Sequence, residues 1–582
     1  MYRSSPTPNF GFDFAVRLPY YHLLCHAPPS FWERAGCPAD AGLCKSGPQM
    51  KIVVAEKISR KGIELLAAEP KWRLVETESA RDKLLPELRD ADALIIRSAV
   101  QVDAQLLERA PRLQVIGRAG IGVDNVDIEA ATKKGVLVMN TPGGNAVSVA
   151  EHTVALMLSL ARSIPQANES THAGRWEKKR FEGRELRGKV FGIMGLGRIG
   201  VEVVKRARAF ELEIVAFDPY VPSLVAGDLN LPLVSLDQLF ARSDYISMHV
   251  PLTAETQGII NRESLRRMKR GVCLINSARG ELVDEEALAE AIRSGQVAGA
   301  ALDVFAQEPP RNSPLLPLSQ VILTPHIAGS TAEAQEIVGY RIAQQVRDYL
   351  RHSVIQNAVN VPSLSVEEHR SLRPYLELAE RLGLFLAQIA AGGPSGVRIR
   401  YAGQLAQMNT NLVRNAVLKG LLNYVLAEKA NIVNAVAIAE ERGIRIEETR
   451  SQRTQFTDSI RVTLKSNEHE SVVEGTVLHG TEPRLLLLDN INVESPLEGN
   501  LVVLKNRDVP GVVGKIGTIL GRRKINIANF SLGRERPGRG RGKGVPVQAL
   551  AVVQVDNKVP ETVLKELARV PAMTFVRSVA LG

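Results

Sequence analysis

The sequence predicts an α/β protein with two doubly wound parallel-sheet lobes, followed by a further α/β domain and a small ferredoxin-like domain. Three observations predict this fold. Short apolar runs alternate with helix-compatible stretches between residues 51 and 351, as in parallel sheets that helices cover on both faces. A glycine fingerprint at residues 195–200 marks a second such lobe. Residues 499–582 then follow the order strand, helix, strand, strand, helix, strand, which is typical of a ferredoxin-like domain.

The first lobe begins at residue 50. Strands are predicted at 51–55, 73–76, 93–97, 114–117 and 136–139, and helices at 59–68, 84–88 and 102–109. We expect residues 50–147 and 332–360 to form this lobe together, because a long helix predicted at 332–351 can return the chain to it. A mostly apolar helix at 148–162 should bridge the two lobes. His152 on this helix is either a catalytic residue or a histidine packed between the lobes.

The glycine fingerprint predicts a dinucleotide site. Gly195, Gly197 and Gly200 follow an apolar run and open a helix-compatible stretch, which is the context that this motif requires. Gly195 permits a tight turn, Gly197 lets the backbone approach a pyrophosphate, and Gly200 lets the helix pack closely on the strand. Asp218 ends the next apolar run, 18 residues after Gly200. A carboxylate there accepts hydrogen bonds from a ribose 2′-hydroxyl and repels a 2′-phosphate, so the sequence favours NAD over NADP.

Three polar side chains follow strands of the second lobe, residues 148–331. Ligands of doubly wound sheets bind beyond the carboxyl ends of the strands, where Arg279, Glu308 and His326 are expected. His326 can accept a proton near neutral pH, Glu308 can orient the imidazole through its other nitrogen, and Arg279 can hold a carboxylate in a fork. Oxidation of an alcohol needs such a base, and an anchor that aims the C–H bond at a nicotinamide. Each residue alone is equally well explained as part of a structural ion pair.

Composition argues against several classes of protein. No apolar run approaches the roughly 18–20 residues that span a bilayer, so we expect a soluble protein without membrane contact. The formal charge of +10 comes mostly from Lys and Arg interleaved with Asp and Glu, which disfavours nucleic acid as a partner. A basic, glycine-rich segment at 534–543 is either a solvated loop or a site for an anionic partner. The four cysteines fit a reducing cytoplasm, and no compact ligand spacing predicts a metal site.

Residues 1–49 are unlike the rest of the chain. They are rich in proline and aromatic residues, show no clear period, and lack the charged start and apolar core of a signal peptide. Met50 opens a clean first strand. We therefore expect residues 1–49 to be a disordered or misassigned leader.

Residues 50–360 resemble the D-isomer-specific 2-hydroxyacid dehydrogenase family. The segments that carry the resemblance are 118–125, 195–200, 276–280, 301–310 and 325–326. It implies that Arg279, Glu308 and His326 form the catalytic set. Beyond the three glycines, it implies NAD contacts at Arg198, Ile199, Asp218, Val250, Ser277, Ala278, Asp303, His326 and Ala328. It also implies substrate contacts at Arg97, Ser98, Asn145 and Arg279, with phosphate contacts from Lys178 and Lys179, across a dimer.

The C-terminal part resembles the long members of the same family. Residues 366–496 are similar to their intervening domain, and residues 499–582 to an ACT module, which pairs through its sheet and binds amino acids at the seam. Asn506, Asp508 and Asn526 match serine-binding positions. The resemblance thus implies L-serine as an effector and a homodimer or homotetramer. The alternative is that the module only dimerises the chain.

The resemblance implies NAD-dependent oxidation of 3-phospho-D-glycerate to 3-phosphooxypyruvate, the first step of L-serine biosynthesis. One alternative is a glyoxylate or hydroxypyruvate reductase of the same family. Another is a non-enzymatic, dinucleotide-sensing corepressor. Residues 366–582 disfavour both, because such reductases usually end soon after the returning helix and such corepressors carry a disordered tail in place of an ACT-like module.

Overall fold

A computed structural model describes residues 50–221, 227, 229–364, 366–390, 392–426, 430–451, 458–466, 469–535 and 547–581. The prediction of a leader at 1–49, and most of the prediction of a basic loop at 534–543, concern residues outside these ranges. No helix within them is long and apolar enough to cross a bilayer.

The first lobe is a parallel sheet covered by helices. Its strands are β1 (Met50–Val54), β2 (Trp72–Glu76), β3 (Ala93–Ile96), β4 (Val115–Arg118) and β5 (Leu137–Met139). Its helices are α1 (Arg60–Ala67), α2 (Arg81–Leu88), α3 (Ala104–Glu108) and α4 (Ile128–Lys134). The strands lie in the order β2-β1-β3-β4-β5, which is a doubly wound order. Strands β3 and β5 are buried along their whole length, because helices cover both faces of the sheet.

The second lobe begins with the bridging helix α5 (Ala146–Arg162) and the helix α6 (Ile164–His172). Its strands are β6 (Val190–Met194), β7 (Glu213–Phe217), β8 (Tyr245–Met248), β9 (Val272–Asn276), β10 (Val297–Leu302) and β11 (Val321–Leu323). Between them lie α7 (Arg198–Ala207), α8 (Leu236–Arg242), α9 (Arg262–Arg267) and α10 (Glu285–Arg293). All pairings are parallel, in the order β11-β10-β9-β8-β6-β7. The order reverses between β6 and β8, which opens a crevice for a ligand there.

The long helix α11 (Ala332–His352) returns the chain to the first lobe. Its buried residues Ile342 and Val346 contact the first sheet at Gly117 of β4. The returning segment then pairs briefly with β5, through Ala358 opposite Met139. The helix α5 packs on the second lobe and α11 on the first, so the chain passes between the lobes just before each of these helices.

The next domain contains the helices α12 (Val366–Ile389), α13 (Asn411–Val425) and α14 (Ala435–Glu441). They cover a mixed sheet of β12 (Gly396–Gly403), β13 (Arg445–Ser451), β14 (Asp458–Lys465), β15 (Glu470–Leu478), β16 (Glu482–Leu488) and β17 (Ile491–Pro496). The helix α14 begins only at Ala435, after a turn at residues 432–434. Asn431 and Asn434 bond the backbone of their own turn instead, which is a preference of short polar side chains.

The last domain has the predicted βαββαβ order. Its elements are β18 (Asn500–Arg507), α15 (Val512–Arg522), β19 (Ile527–Arg534), β20 (Gln548–Val555), α16 (Glu561–Ala568) and β21 (Met573–Ala580). The antiparallel sheet has the order β19-β20-β18-β21. Gln388 joins the helix α12 to this sheet through two hydrogen bonds with Ala580, each at 2.9 Å. Its Nε2 donates to the Ala580 carbonyl oxygen, and its Oε1 accepts from the Ala580 N–H.

Candidate active site

The glycine turn between β6 and α7 has room for a pyrophosphate. Gly195 has a φ of +96°, and a Cβ there would lie 2.7 Å from the His249 carbonyl oxygen. A Cβ on Gly200 would lie 2.0 Å from the Gly195 carbonyl oxygen, so only glycine lets α7 approach the turn this closely. A Cβ on Gly197 would meet nothing in the described part of the chain within 4 Å. The tight turn expected at Gly195 and the close packing expected at Gly200 are present, and the pyrophosphate contact at Gly197 stays a prediction.

Asp218 closes this turn from the end of β7. One carboxylate oxygen accepts a hydrogen bond from the Leu196 N–H at 2.8 Å, and the other from the Tyr220 N–H at 2.9 Å. A carboxylate has about four acceptor positions, so two remain for ribose hydroxyls. These features fit NAD. The open space at Gly197 and the N-terminus of the ten-residue helix α7 suit its pyrophosphate, and the carboxylate of Asp218 suits its ribose. Val250 lies beside the same turn, 3.1 Å from the position of a Cβ on Gly195.

His326 and Glu308 form a hydrogen-bonded pair. His326 Nδ1 lies 2.8 Å from Glu308 Oε2, and both side chains are partly exposed, at 54% and 39%. The other oxygen of Glu308 accepts a hydrogen bond from the Phe305 N–H at 3.2 Å. Because a carboxylate only accepts, Nδ1 carries the proton of this pair, and Nε2 of the neutral ring is left as an acceptor. The predicted pairing of a base with an orienting carboxylate is present.

Asp303 anchors the loop that carries His326. Its buried carboxylate accepts hydrogen bonds from the Thr324 hydroxyl at 2.6 Å and from the N–H groups of Ile327 and Ala328, at 2.9 and 2.8 Å. Burial alone would raise the pKa of Asp303, but hydrogen bonds from His152, Thr324 and the loop backbone together hold the pKa below its ordinary value. A side chain predicted to contact NAD thus also shapes the loop of His326.

Arg279 reaches from the second lobe to the first. Its Nη2 lies 3.0 Å from Asp124 Oδ2, and its Nη1 donates to the Ala278 carbonyl oxygen at 2.7 Å. Asn276 fixes this loop, because its amide bonds both the Arg279 carbonyl and the Ala278 N–H. The guanidinium also lies against Gly122, where a Cβ would be 2.2 Å from Nη2. Arg279 is therefore held at the boundary of the two lobes, as an anchor for substrate would be.

A further cation, Arg118, was missed by the sequence prediction. It ends β4 beside Arg97, which follows the neighbouring strand β3. Its Nε is buried and has no hydrogen-bond partner among the described residues. Burial, and then the charge of Arg279, lower the pKa of Arg118, so the guanidinium groups lie close enough to repel one another. Its position at the carboxyl end of a strand was the signal that could have identified it.

Other predicted contacts lie on both sides of the cleft. Asn145 is the N-cap residue of α5, and its Oδ1 is buried without a partner in the ranges described. Arg198 of α7 donates a hydrogen bond to the Pro142 carbonyl oxygen and so joins the glycine turn to the first lobe. Ser98 is exposed beside Arg97. Ile199 and Ala278 are half-buried and Ser277 is buried at the same crevice.

Lys178 and Lys179 lie on an exposed turn, Lys178–Phe181. The ammonium group of Lys178 lies 5.6 Å from the centre of the Trp176 ring, and 76% of Trp176 is exposed. The predicted phosphate contacts across a dimer stay a prediction. No group of three or more His, Cys, Asp or Glu side chains in the described ranges could hold a metal ion.

The three predicted serine-binding residues do not meet within one chain. Asn506 pairs with Ala549 and Ile527 with Val555 on the shared strand β20, so Asp508 and Asn526 lie at opposite ends of the sheet. Asp508 bonds Val547 and Asn526 bonds Asp556, so at roughly 3.3 Å per residue these ends are about 30 Å apart. Asp508 is paired with Arg534 at 3.2 Å, and Asn526 donates to Asp556 at 2.9 Å. The amide of Asn506 is turned to the Arg507 carbonyl oxygen at 2.7 Å.

Comparisons with known proteins agree with these domains. Residues 154–328 match the NAD binding domain of the D-isomer specific 2-hydroxyacid dehydrogenases, residues 371–489 the D-3-phosphoglycerate dehydrogenase intervening domain, and residues 500–572 the ACT domain. The chain is 40% identical to D-3-phosphoglycerate dehydrogenase of Methanocaldococcus jannaschii over 91% of this chain and 100% of that one. It is 43% identical to the same enzyme of Archaeoglobus fulgidus, over 89% and 98%. The chain also resembles a crystal structure from Polaromonas that is described as a D-isomer specific 2-hydroxyacid dehydrogenase, NAD-binding. The matched region covers 54% of this chain and 100% of the Polaromonas chain, at 26% identity and a TM-score of 0.50.

Proposed function

Because the chain belongs to the D-3-phosphoglycerate dehydrogenases of the D-isomer specific 2-hydroxyacid dehydrogenase family, we propose that it oxidises 3-phospho-D-glycerate to 3-phosphooxypyruvate with NAD. This is the first step of L-serine biosynthesis. The observation that carries the proposal is the His326–Glu308 pair at the crevice, with the glycine turn on the same sheet and Arg279 at the boundary with the first lobe.

The substrate hydroxyl loses its proton to His326. Nε2 of the neutral ring is the acceptor, because Nδ1 is engaged by Glu308. The carboxylate of Glu308 then lies beside the protonated ring and stabilises its charge. NAD, when bound, supplies the acceptor for the hydride that leaves C2. The substrate carboxylate is held by the Arg279 fork, which fixes the orientation of C2.

The substrate phosphate is assigned to the cations of the first lobe. Arg97 follows β3 and Arg118 ends the neighbouring strand β4, and the buried Nε of Arg118 is a donor without a partner in the described structure. A phosphate would offset the repulsion between Arg118 and Arg279 and satisfy this donor. Ser98 and Asn145 are assigned to the same substrate, and Lys178 and Lys179 to a phosphate contact from a second subunit. Residues 50–147 and 332–360 are accordingly the substrate domain, and residues 148–331 the NAD domain.

A comparison of two substrates tests this function. We expect NADH formation, followed at 340 nm, with 3-phospho-D-glycerate and at least about 100-fold lower kcat/KM with D-glycerate, because the cations then lack their phosphate. Equal activity with D-glycerate would move the enzyme to another 2-hydroxy acid. Reduction of glyoxylate or hydroxypyruvate as the better reaction would make it a reductase, and no turnover at all would favour a dinucleotide-sensing protein.

We further propose that residues 366–496 and 499–582 act as intervening and ACT domains of a homodimer or homotetramer, in the cytoplasm. The separation of Asp508 and Asn526 supports pairing of the ACT domains about a two-fold axis. In such an isologous contact, Asp508 of one copy lies beside Asn526 of the second copy. L-Serine would bind there, its ammonium group on the carboxylate of Asp508. It would have to displace Arg534, which holds that carboxylate in the structure.

We expect L-serine to lower the rate of NADH formation, and Asp508→Ala to raise the serine concentration for half inhibition by about 10- to 100-fold. The reason is that a hydrogen bond to a charged group contributes about 1.5–3 kcal/mol. Asp237→Ala is the matched control, because it removes an aspartate that is likewise paired with arginine but lies outside the ACT domain. A rate that serine never changes would leave the module with a structural role only.

A further inference from the structure

Two consecutive residues of α5 contact the two loops that carry the catalytic side chains. His152 Nε2 lies 3.2 Å from Thr324 Oγ1 and 3.4 Å from Asp303 Oδ1. Thr324 lies two residues before His326, and Asp303 bonds the loop of His326. Thr153 Oγ1 lies 2.8 Å from Ser277 Oγ, two residues before Arg279. Thr153 is fully buried, and 20% of the His152 side chain is exposed. One helix therefore touches both halves of the catalytic site.

The protons of the His152 contact can be assigned. The Thr324 hydroxyl lies 2.6 Å from Asp303 Oδ1, and a carboxylate only accepts, so the hydroxyl hydrogen points to Asp303. The remaining lone pair of Thr324 Oγ1 must then accept from the N–H of His152 Nε2. His152 thus donates to a chain that ends on a buried carboxylate.

The Thr153 contact has a similar direction. Thr153 Oγ1 donates its hydrogen to the Val149 carbonyl oxygen at 2.8 Å, within the helix. It therefore accepts a hydrogen bond from the Ser277 hydroxyl. The Ser277 side chain is buried, so this bond fixes the loop that leads to Arg279.

The loop of His326 depends on its anchor. His326 has a φ of +53°, which is unfavourable for a residue with a Cβ and persists only where the surroundings impose it. The N–H groups of the two following residues, Ile327 and Ala328, bond the carboxylate of Asp303. The same carboxylate is contacted by the Thr324 hydroxyl and by His152 Nε2.

We propose that His152 and Thr153 are positioning residues, which fix His326 and Arg279 relative to each other through Thr324–Asp303 and through Ser277. The inference rests on the proposed dehydrogenase activity. NADH formation by the unaltered enzyme is therefore measured first. Absence of that activity would sink the proposed function, whereas the variants below bear on the positioning role alone.

We expect His152→Leu to lower kcat about 10- to 100-fold, since small displacements of a catalytic group have effects of this size. KM for 3-phospho-D-glycerate and the Kd of NAD should change less than about threefold, because Arg97, Arg118 and Asp218 are untouched. His152→Gln should restore most of kcat, since its amide can donate to Thr324 from nearly the same position. Thr324→Val, which keeps His152 but breaks the chain, should resemble His152→Leu and serves as the test if His152→Leu does not fold.

The matched control is His369→Leu. His369 is a histidine whose Nε2 likewise makes a hydrogen bond, with the Ser353 carbonyl oxygen at 3.0 Å, but it lies on α12. Its loss should lower Tm and leave kcat unchanged. Three results would each overturn the role of His152. The His152→Leu variant could keep full kcat, the Leu and Gln variants could lose kcat equally, or His369→Leu could lose as much kcat as His152→Leu.

For Thr153, the test is Thr153→Val against Thr153→Ser. The valine variant should lower kcat/KM about tenfold with a rise in KM, because Arg279 binds substrate, and serine should restore both values. Unchanged kinetics in the valine variant, or failure of serine to restore them, would overturn the role of Thr153.

Discussion

Replacement of His326 by alanine is expected to lower kcat by about 100- to 10,000-fold, the range that general acid–base catalysis contributes. The imidazole is the only proposed acceptor for the hydroxyl proton, and its Nε2 is left free by the bond from Nδ1 to Glu308. NAD binding should survive, because the glycine turn lies between β6 and α7 and Asp218 follows β7, outside the loop of His326. Stopped-flow or steady-state NADH formation measures the first effect, and calorimetric titration of NAD measures the second.

The control for this variant is His172→Ala, which removes an exposed histidine at the end of α6 and should leave kcat unchanged. Glu308→Gln should lie between the wild type and His326→Ala. The amide can still accept a hydrogen bond from Nδ1, but it does not stabilise the charge that the ring acquires with the proton. Turnover by His326→Ala within about threefold of the wild type would remove His326 from the mechanism.

The sequence predicted the parts of the site that depend on local chemistry. The glycine turn follows from three residues and the strand and helix around them, and the structure shows the tight turn, the open space and the close packing. The pairing of Glu308 with His326 followed from their places after strands, because the carboxyl ends of parallel strands meet at one edge. Local spacing was sufficient in both cases.

Parts that depend on distant contacts were not predictable. Arg118 ends a strand, which was a signal for a site residue, but that position alone does not show that its Nε is buried without a partner among the described residues. The double role of Asp303 arises from loop N–H groups that reach its carboxylate only in the folded chain. His152 was left open between catalysis and packing, and the structure shows that it bonds Thr324.

The α/β class of the intervening domain was predicted, but its strands were not placed, and the edge strand β13 shows the reason. β13 contains one apolar residue, Ile446, between charged and polar ones, so no alternation marks it as a strand. Its strand structure comes from parallel pairing with β12 along seven residue pairs, from Gly396–Arg445 to Ala402–Ser451. Pairing of this kind links residues far apart in the chain, and a local pattern does not reveal it.

Replacement of Arg279 is also expected to have a large effect on kcat/KM. Arg279→Lys should lower kcat/KM about 100-fold, and Arg279→Ala by more, because lysine keeps the charge but not the two parallel donors that hold a carboxylate in one orientation. Both kcat and KM should change, since the anchor both binds the substrate and aims its C–H bond. Arg262→Lys is the matched control, because it alters another partly exposed arginine that is paired with one carboxylate, here that of Glu290.

A contrast with Arg118 separates orientation from simple charge. Arg118→Leu removes a phosphate contact but leaves the fork of Arg279, so we expect it to raise KM with 3-phospho-D-glycerate much more than it lowers kcat. Added guanidinium ions should restore part of the activity of Arg279→Ala, because a small planar cation can occupy the space beside Asp124. If Arg279→Lys kept full kcat/KM, a point charge would suffice there, and the substrate carboxylate would have to be oriented by the first lobe instead.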